Sequence, residues 1–402
     1  MLLLLLPPIA NAMDGPAERA AGVFALRPQL PGKVPFLWPT FTGGEVPPPG
    51  HSRWEANVFH TNTLQYTRGI IVALPPDPSE QDVLTYMDAV HASTGKNLYY
   101  FDAETTRLDL SWAIGLPGGW ELGAQVPVVS HSGGWLDTGI SRFHDATGIS
   151  DAGRDQAPVN AGLLVLITQQ GDLVLTEETL PATEVGDVGL SARVPIPVRG
   201  ERWSLVAAAL LELPTGNERN LVGSGDLDLG ASVTADWRRG RARVTLGCGY
   251  AALGGLAAIP GLPIRDTWTA TAAYEQGLGR RAAFLGQLLY STSPYRALGQ
   301  DGLSDPSGIV ALGMRFTGGR HWLVDLALAE DALGHNADID VGLLLGLAWR
   351  PGGTATPGSR QVRRREEPDP ERPGPEFPAA AGRRRVGDYA RERSPFRSIS
   401  IP

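Results

Sequence analysis

Apolar and polar residues alternate with a period of two along most of the chain between Ala182 and Trp349. The clearest case is the stretch 226–237, where leucine, alanine, valine and tryptophan occupy the odd positions and aspartate, glycine, serine and threonine the even ones. The stretch 339–349 closely repeats this arrangement. In a β-strand successive side chains point to opposite faces of the sheet, so the alternation predicts strands with one apolar and one polar face.

The alternation predicts twelve strands, joined by connections that are alternately short and long. Short turns follow the second, sixth, eighth and tenth strands, whereas the first two long connections exceed forty residues. Short turns on one rim and long loops on the other are typical of bacterial outer-membrane barrels, whose short turns lie in the periplasm. An even strand number then predicts both termini in the periplasm. The predicted strands are 53–62, 106–115, 120–128, 186–194, 203–213, 226–237, 241–250, 267–275, 281–290, 309–316, 321–329 and 339–349.

A soluble β-sandwich also alternates and is the main competing fold class. The aromatic residues favour a membrane barrel, because they stand at the ends of the predicted strands, where amphipathic rings meet the two membrane interfaces. We therefore predict an all-β fold, a transmembrane antiparallel up-and-down β-barrel of about twelve strands with long extracellular loops. The aromatic residues of one rim are Trp54, Trp120, Trp203, Trp237, Tyr274, Phe316, Trp322 and Trp349, and those of the other are Tyr250, Trp268 and Tyr290.

The two ends of the chain differ from this pattern. Residues 1–12 are an apolar run followed by a small-residue cleavage pattern, which predicts a signal peptide whose start is truncated. Residues 13–50 are a proline-rich lead-in that we expect to be extended, in the periplasm or tucked into the barrel mouth. Residues 51–350 form the predicted barrel. Residues 351–402, rich in proline and arginine, are predicted to be a disordered periplasmic tail.

Composition narrows the possible partners. The net charge of −8 argues against nucleic acid. The single cysteine, Cys248, excludes a disulfide framework and a cysteine-based zinc site. No stretch after the N-terminus is apolar enough for a membrane helix. We expect no cofactor. The expected partners are the lipid of the outer membrane, the barrel-assembly machinery and, if the pore is open, a small cationic or polar solute.

The polar face carries an uneven charge distribution. Most predicted lumen acids lie toward the long-loop end, where only Arg107 opposes them, and a pore with such a vestibule favours cations. The same charges could instead pair across strands and fill the lumen. The aspartates at 226 and 228, and at 338 and 340, have a spacing that could also bind calcium, although one face of a strand gives the same spacing. The predicted pore-lining residues are Arg107, Asp109, Asp187, Glu212, Asp226, Asp228, Asp325, Asp338 and Asp340.

The long connection 130–185 contains the most distinctive polar residues. Ser132 stands among histidines and aspartates, the residue types of a hydrolase triad. However, Ser132 directly follows a histidine, and neighbouring strand residues point to opposite faces. The alternative is a compact loop, fixed by packing and hydrogen bonds, that folds over or into the pore. The residues predicted to form it are His131, Trp135, Asp137, Phe143, His144, Asp145 and Arg154.

Several motifs together resemble one known family. The segments 131–137 (HSGGWLD) and 143–145 (FHD), with 122–127 (LGAQVP) and 186–188 (GDV), are similar to those of a bacterial family of outer-membrane proteins called domain of unknown function 3187. The resemblance covers about residues 27–349 and implies an outer-membrane barrel without implying an activity. The leading hypothesis is a passive channel for a small solute. The alternatives are a non-conducting structural or surface-interaction barrel and an outer-membrane lipid hydrolase.

Overall fold

The computed structural model describes residues 22–43, 46–75, 78–136, 157, 162–180, 183–200, 202–318, 321–332 and 338–350. Within these residues the chain forms fifteen strands. They are β1 (Ser52–Tyr66), β2 (Leu98–Gly115), β3 (Glu121–Ser132), β4 (Leu163–Thr168), β5 (Gly171–Leu175), β6 (Glu184–Val185), β7 (Val188–Ile196), β8 (Trp203–Leu213), β9 (Asp228–Arg239), β10 (Ala242–Ala252), β11 (Thr267–Gly277), β12 (Ala282–Ser291), β13 (Ser307–Gly318), β14 (Trp322–Asp331) and β15 (Val341–Trp349).

Twelve of these strands close into an antiparallel barrel. From β7 to β15 each strand pairs with the next, β15 pairs with β1, and β1, β2 and β3 continue the ring back to β7. The barrel strands overlap the twelve predicted from the alternation; most are one to four residues longer at an end, and β2 begins eight residues earlier than predicted. The prediction of an all-β up-and-down barrel is confirmed. Two rims follow from this topology, which we call the short-turn rim and the long-loop rim.

The outer surface of the barrel matches a membrane. Leu229, Leu343 and Leu345, on the apolar side of the alternation, are 53%, 40% and 48% exposed, because they point away from the barrel. At the short-turn rim, aromatic side chains meet across neighbouring strands. An apolar band flanked by aromatic side chains is the surface that a bilayer selects, and we assign the barrel to the outer membrane on this basis. Strand pairing brings together Trp322, Trp349, Trp54 and Trp112 on β14, β15, β1 and β2.

A small layer beyond the long-loop rim was not predicted. Strands β4 and β5 extend the sheet from the first residues of β2. The helices α1 (Ile70–Ala73) and α2 (Glu80–Thr94) lie between β1 and β2 in the chain. Val83 and Met87 of α2 pack on this extension. Helix α2 begins at a capping box of Ser79 and Asp82, a signal visible in the sequence. Short 3₁₀ turns occur at Pro31–Lys33, Glu218–Asn220 and Arg296–Leu298. No helix among the described residues is long and apolar enough to cross a membrane.

Residues 22–43, which we call the lumen hairpin, run through the interior of the barrel. The chain passes Arg315 near the short-turn rim at Val23, turns beneath the long loops at Pro31–Lys33, and returns to Arg193 near the short-turn rim at Gly43. It then reaches the start of β1. Residues 22–43 of the lead-in therefore extend through the lumen rather than resting at its mouth.

Candidate functional site

The lumen hairpin is held without joining the barrel sheet. Prolines at positions 28, 31, 35 and 39 have no backbone N–H and cannot continue a β-ladder. Several of the remaining N–H groups instead donate to side chains of the wall. The N–H of Phe24 donates to Oε1 of Gln287 at 2.5 Å, and the N–H of Leu37 donates to Oδ2 of Asp228 at 3.1 Å. The hairpin is thus a separate chain segment bound inside a closed cylinder.

Glycines of the wall make room for the hairpin. A Cβ added at Gly249 of β10 would lie 2.5 Å from the Cβ of Pro39, closer than side-chain carbons approach. A Cβ added at Gly247 would overlap the ring of Phe41. Both glycines lie on the lumen side of their strand, where a larger residue would exclude the hairpin.

Part of the lumen is apolar. Phe24 and Phe41 of the hairpin pack with inward-facing residues of β12 to β15, including Leu285, Leu289 and Leu344. The prediction that the inner face of every strand is polar therefore fails on this side of the lumen. The sequence contains part of the signal, because the inward positions of the stretch 282–291 include Ala283, Leu285 and Leu289 beside Gln287 and Ser291.

Asp338 is the main acceptor at the tip of the hairpin. Its Oδ1 accepts from the N–H groups of Gln29 (2.8 Å) and Leu30 (3.0 Å), and its Oδ2 lies 3.6 Å from Nζ of Lys33. Both charged side chains are completely buried. Burial raises the pKa of the Asp338 carboxyl and lowers the pKa of the Lys33 ammonium, while each charge favours the ionised form of the other.

Two further predicted pore-lining aspartates also bind backbone groups. Asp228 accepts from the hairpin through Oδ2 and from the N–H of Gly254 through Oδ1, at 2.8 Å. Asp340 accepts from the N–H of Leu64 at 3.1 Å. These carboxylates serve as hydrogen-bond acceptors for the hairpin and for the barrel ends.

Asp187 joins two motifs that the sequence presents separately. Its Oδ1 accepts from the N–H groups of Thr215 (2.8 Å) and Gly216 (2.7 Å), and its Oδ2 accepts from the N–H of Ser224 (2.7 Å). Burial raises the pKa of this carboxyl, and the backbone N–H groups oppose that rise because they stabilise the anion. At the long-loop rim, the carboxylate of Asp187 thus connects segment 186–188 (Gly-Asp-Val) with segment 214–216 (Pro-Thr-Gly).

Arginines hold the two ends of the hairpin at the short-turn rim. Arg315 donates from Nη2 to the carbonyl of Val23 at 3.0 Å and forms ion pairs of 2.8 Å with Asp325 and Glu275. At the other end, Arg193 donates from Nη2 to the carbonyl of Gly43 at 2.9 Å. Each of these arginines therefore neutralises wall acids and binds the hairpin backbone at the same time.

The remaining predicted lumen charges are less directly involved. Arg107 donates from Nε to Asp109 at 2.8 Å, within β2. Glu212 is buried near Arg107 and near Arg27 of the hairpin. Asp226 lies before β9 and is exposed. The structure therefore brings most of the predicted pore-lining charges into one lumen, where acids and arginines of the wall face the hairpin.

The described part of the 130–185 connection covers the long-loop end. Leu164 and Leu175 of β4 and β5 share a buried cluster with Leu30 and Phe36 of the hairpin and with Tyr295 of another loop. Tyr295 also donates from its hydroxyl to the carbonyl of Gly32 at 2.5 Å. The tip of the hairpin is thus enclosed by long loops.

The predicted loop residues fall into three groups. His131 is buried and shares a 2.9 Å hydrogen bond with the hydroxyl of Thr105, whereas Ser132 is exposed on the opposite face of β3. Trp135 stacks on the ring of His60, and the backbone N–H of Trp135 donates to Oε1 of Glu104 at 2.6 Å. The third group, Asp137, Phe143, His144, Asp145 and Arg154, lies outside the described residues.

A cavity remains beside the hairpin near the short-turn rim. It lies between hairpin residues 23–25 and 41–43 and the wall of β1, β14 and β15, with Arg53, Asn57 and Asp325 in its lining. Among the described residues, no group of three or more histidine, cysteine, aspartate or glutamate side chains is placed to hold a metal ion. The candidate site is therefore the lumen of the barrel, whose wall is apolar on one side and charged elsewhere, and which residues 22–43 of the same chain occupy.

Comparison with known proteins places this barrel in a family. No curated protein matches the chain. Among solved structures, it is similar to an outer membrane channel from Pseudomonas putida F1, with 12% identity, 76% of this chain and 97% of that chain covered, and a TM-score of 0.46. It is also similar to the KdgM porin in complex with disordered oligogalacturonate (8% identity, 73% and 98% covered, TM-score 0.34). A third similar structure is outer membrane phospholipase A from Escherichia coli (11% identity, 74% and 92% covered, TM-score 0.33).

Likeness at this level carries no information on solute or activity. The match to a family model is of a different kind, because it covers residues 69–350, more than half of the chain, and agrees with the resemblance of the sequence motifs. This family is described as a protein of unknown function, DUF3187. The chain belongs to the DUF3187 family.

Proposed function

We propose that the protein is a passive outer-membrane channel for a small solute, closed in this conformation by the lumen hairpin. The observation that carries the proposal is the content of the lumen. Twelve strands enclose more space than the inward side chains fill, and two limbs of a separate segment occupy the difference. Because these limbs are bound by side chains and not by a β-ladder, they can leave without breaking the wall.

The charges of the wall support a small cationic or polar solute. When the hairpin leaves, the lumen loses the cations Arg27 and Lys33, while the wall keeps Asp228, Asp338 and Asp340. Carboxylates in a narrow lumen with low-dielectric walls focus a negative potential that favours cations. We further propose that the connection 130–185 closes the pore at the long-loop end, and that the short-turn rim and both termini lie in the periplasm.

Planar-bilayer conductance tests the proposal. The full chain is compared with a variant that lacks residues 22–43 and with one in which a Gly/Ser segment of equal length replaces them. Both variants should conduct at least about tenfold more than the full chain, since neither can refill the lumen with bound side chains. Heat-modifiable migration on a gel shows that each barrel is folded. A folded variant without the hairpin that fails to conduct would refute the channel.

Reversal potentials under a salt gradient then test the solute class. The variant without the hairpin should prefer cations, and the preference should shrink as salt rises, because screening acts over about 8 Å at physiological ionic strength. Replacing Asp226, Asp228, Asp338 and Asp340 together by asparagine should weaken the preference. Anion preference in the variant without the hairpin would contradict the assignment of the solute class.

The apolar packing of Phe24 and Phe41 against the wall favours a second candidate, a non-conducting barrel in which the hairpin is a permanent core. The two candidates make opposite predictions for the same recordings. A permanent core also predicts that a barrel without the hairpin fails to fold, whereas a displaceable one predicts a folded and open barrel.

A further inference from the structure

Exposed arginines are concentrated on three neighbouring turns of the short-turn rim. These turns join β7 to β8, β9 to β10 and β11 to β12, and the strands that carry them are adjacent in the barrel. The only acidic residue in the turn segments is Glu201, which lies outside the described residues. The exposed arginines are Arg199, Arg202, Arg239, Arg241, Arg280 and Arg281.

Apolar side chains surround these arginines. Val198 and Leu278 are 41% and 58% exposed within the same turns, and Trp203 opens β8 beside Arg202. Apolar groups and tryptophan at the edge of the aliphatic band lie at the level of the lipid headgroups. Arginine side chains at this level bury their aliphatic part and reach the headgroup region with the guanidinium group.

The long-loop rim has the opposite character. Its described loops and extensions carry eight exposed acidic residues against five exposed basic ones, so the basic surface is specific to one end of the barrel. The exposed acids are Asp82, Asp88, Asp172, Glu177, Glu178, Asp226, Asp301 and Glu330, and the exposed bases are Arg68, Lys96, Arg219, Arg265 and Arg296.

We propose that the three basic turns form a binding surface for anionic phospholipid headgroups. A guanidinium group donates two parallel hydrogen bonds to a phosphate, and several guanidinium groups in a row select lipids with a net negative charge over zwitterionic ones. The surface rests on the barrel's place in a membrane and not on conduction through its lumen.

Native mass spectrometry of the full chain tests this proposal. The protein is released from micelles that contain equal amounts of phosphatidylglycerol and phosphatidylcholine, and the bound lipids are counted. The wild-type chain should retain phosphatidylglycerol over phosphatidylcholine by at least about fivefold, and added salt should reduce the ratio. Equal retention of the two lipids by the wild-type chain would overturn the proposal.

A matched pair of variants assigns the binding to the rim. The first carries Arg199→Gln, Arg239→Gln, Arg280→Gln and Arg281→Gln, and should lower the ratio to within about twofold of unity. The control loses four cations of the long-loop rim through Arg68→Gln, Lys96→Gln, Arg219→Gln and Arg265→Gln, and should keep the wild-type ratio. The arginine-rich tail is present in all chains, so it cannot produce the difference. Equal losses in both variants would contradict a specific surface. The readout does not depend on conductance, so it stands or falls separately from the channel.

Discussion

The two faces of the barrel wall meet different partners in different ways. The outer face presents leucine, valine and tryptophan to lipid, which needs apolar area but no particular geometry. The inner face meets a segment of the same chain, and there individual contacts matter, such as the acceptors of Asp338 and the space beside Gly249. The comparison teaches that alternation along a strand reveals which residues face inward, but not what they face.

The largest expected effect on the inner face comes from Lys33→Met. The substitution leaves Asp338 buried without its cation, and breaking a buried ion pair costs about 3–5 kcal/mol. We expect the tip of the hairpin to loosen while the barrel stays closed. Hydrogen exchange should therefore increase in residues 22–43 and remain unchanged in β15. Unchanged exchange in the hairpin would show that this ion pair does not hold it.

The corresponding test on the outer face is Leu343→Arg. Leu343 of β15 points to the lipid within the apolar band, where an arginine costs up to about 2–4 kcal/mol. Urea unfolding in lipid vesicles measures the change, and Leu343→Ala separates the lost apolar area from the added charge. If the arginine variant is as stable as the alanine variant, the side chain at position 343 does not point to the lipid.

A pair of glycine substitutions compares the two faces directly. Gly249→Val places side-chain atoms where Pro39 lies, and overpacking of this kind costs about 1–3 kcal/mol. Gly286→Val, on the outer face of β12, places its Cβ 3.3 Å from the end of the Leu312 side chain and should be tolerated. We expect Gly249→Val to raise conductance by displacing the hairpin. Equal conductance of the two variants would contradict the difference between the faces.

A smaller effect is expected from Asp228→Asn. Alternation alone predicts a nearly neutral change at a lumen residue. The structure revises this expectation, because Asp228 accepts from the N–H groups of Leu37 and Gly254, and asparagine retains only one oxygen. The loss of one such hydrogen bond costs about 1 kcal/mol. Thermal unfolding in detergent measures the change, and a variant as stable as the wild type would remove Asp228 from the set of anchors.

The smallest effect concerns Cys248, which points outward from β10. In intact membranes it should react slowly with a charged thiol reagent and readily with a membrane-permeant maleimide, because lipid covers it. The two labelling rates can be compared by mass spectrometry. Fast reaction with the charged reagent would place Cys248 in water.

Much of the fold is predictable from the sequence because each barrel strand carries its own alternation. All twelve strands, the outward facing of Leu343 and the inward facing of Asp228 follow from local pattern. The hairpin does not follow, because its hydrogen bonds to the wall join residues that are 150 to 309 positions apart and its prolines remove any period.

Parts of the occupied lumen did leave signals. In the stretch 282–291 both faces carry large apolar residues, with Leu285 and Leu289 on the inward face, and residues 22–43 contain more large apolar side chains than an exposed linker needs. Helix α2 has its capping box at Ser79. The hydrogen bonds of Asp187 are not visible in the sequence. Only the closed barrel brings the backbone N–H groups of Thr215 and Ser224 to this one carboxylate.

The most direct test of the central claim is a disulfide between the hairpin and the wall. A chain with Thr40→Cys, Ser232→Cys and Cys248→Ser carries one thiol on the hairpin and one on the lumen side of β9, where the hydroxyl of Ser232 donates to the carbonyl of Thr40 at 3.4 Å. The control is Thr40→Cys alone, in which the native Cys248 points outward from the neighbouring strand β10. After mild oxidation in native outer membranes, the account predicts a cross-link in the first chain and none in the control. No cross-link in the first chain, or equal cross-linking in both, would contradict a hairpin inside the lumen.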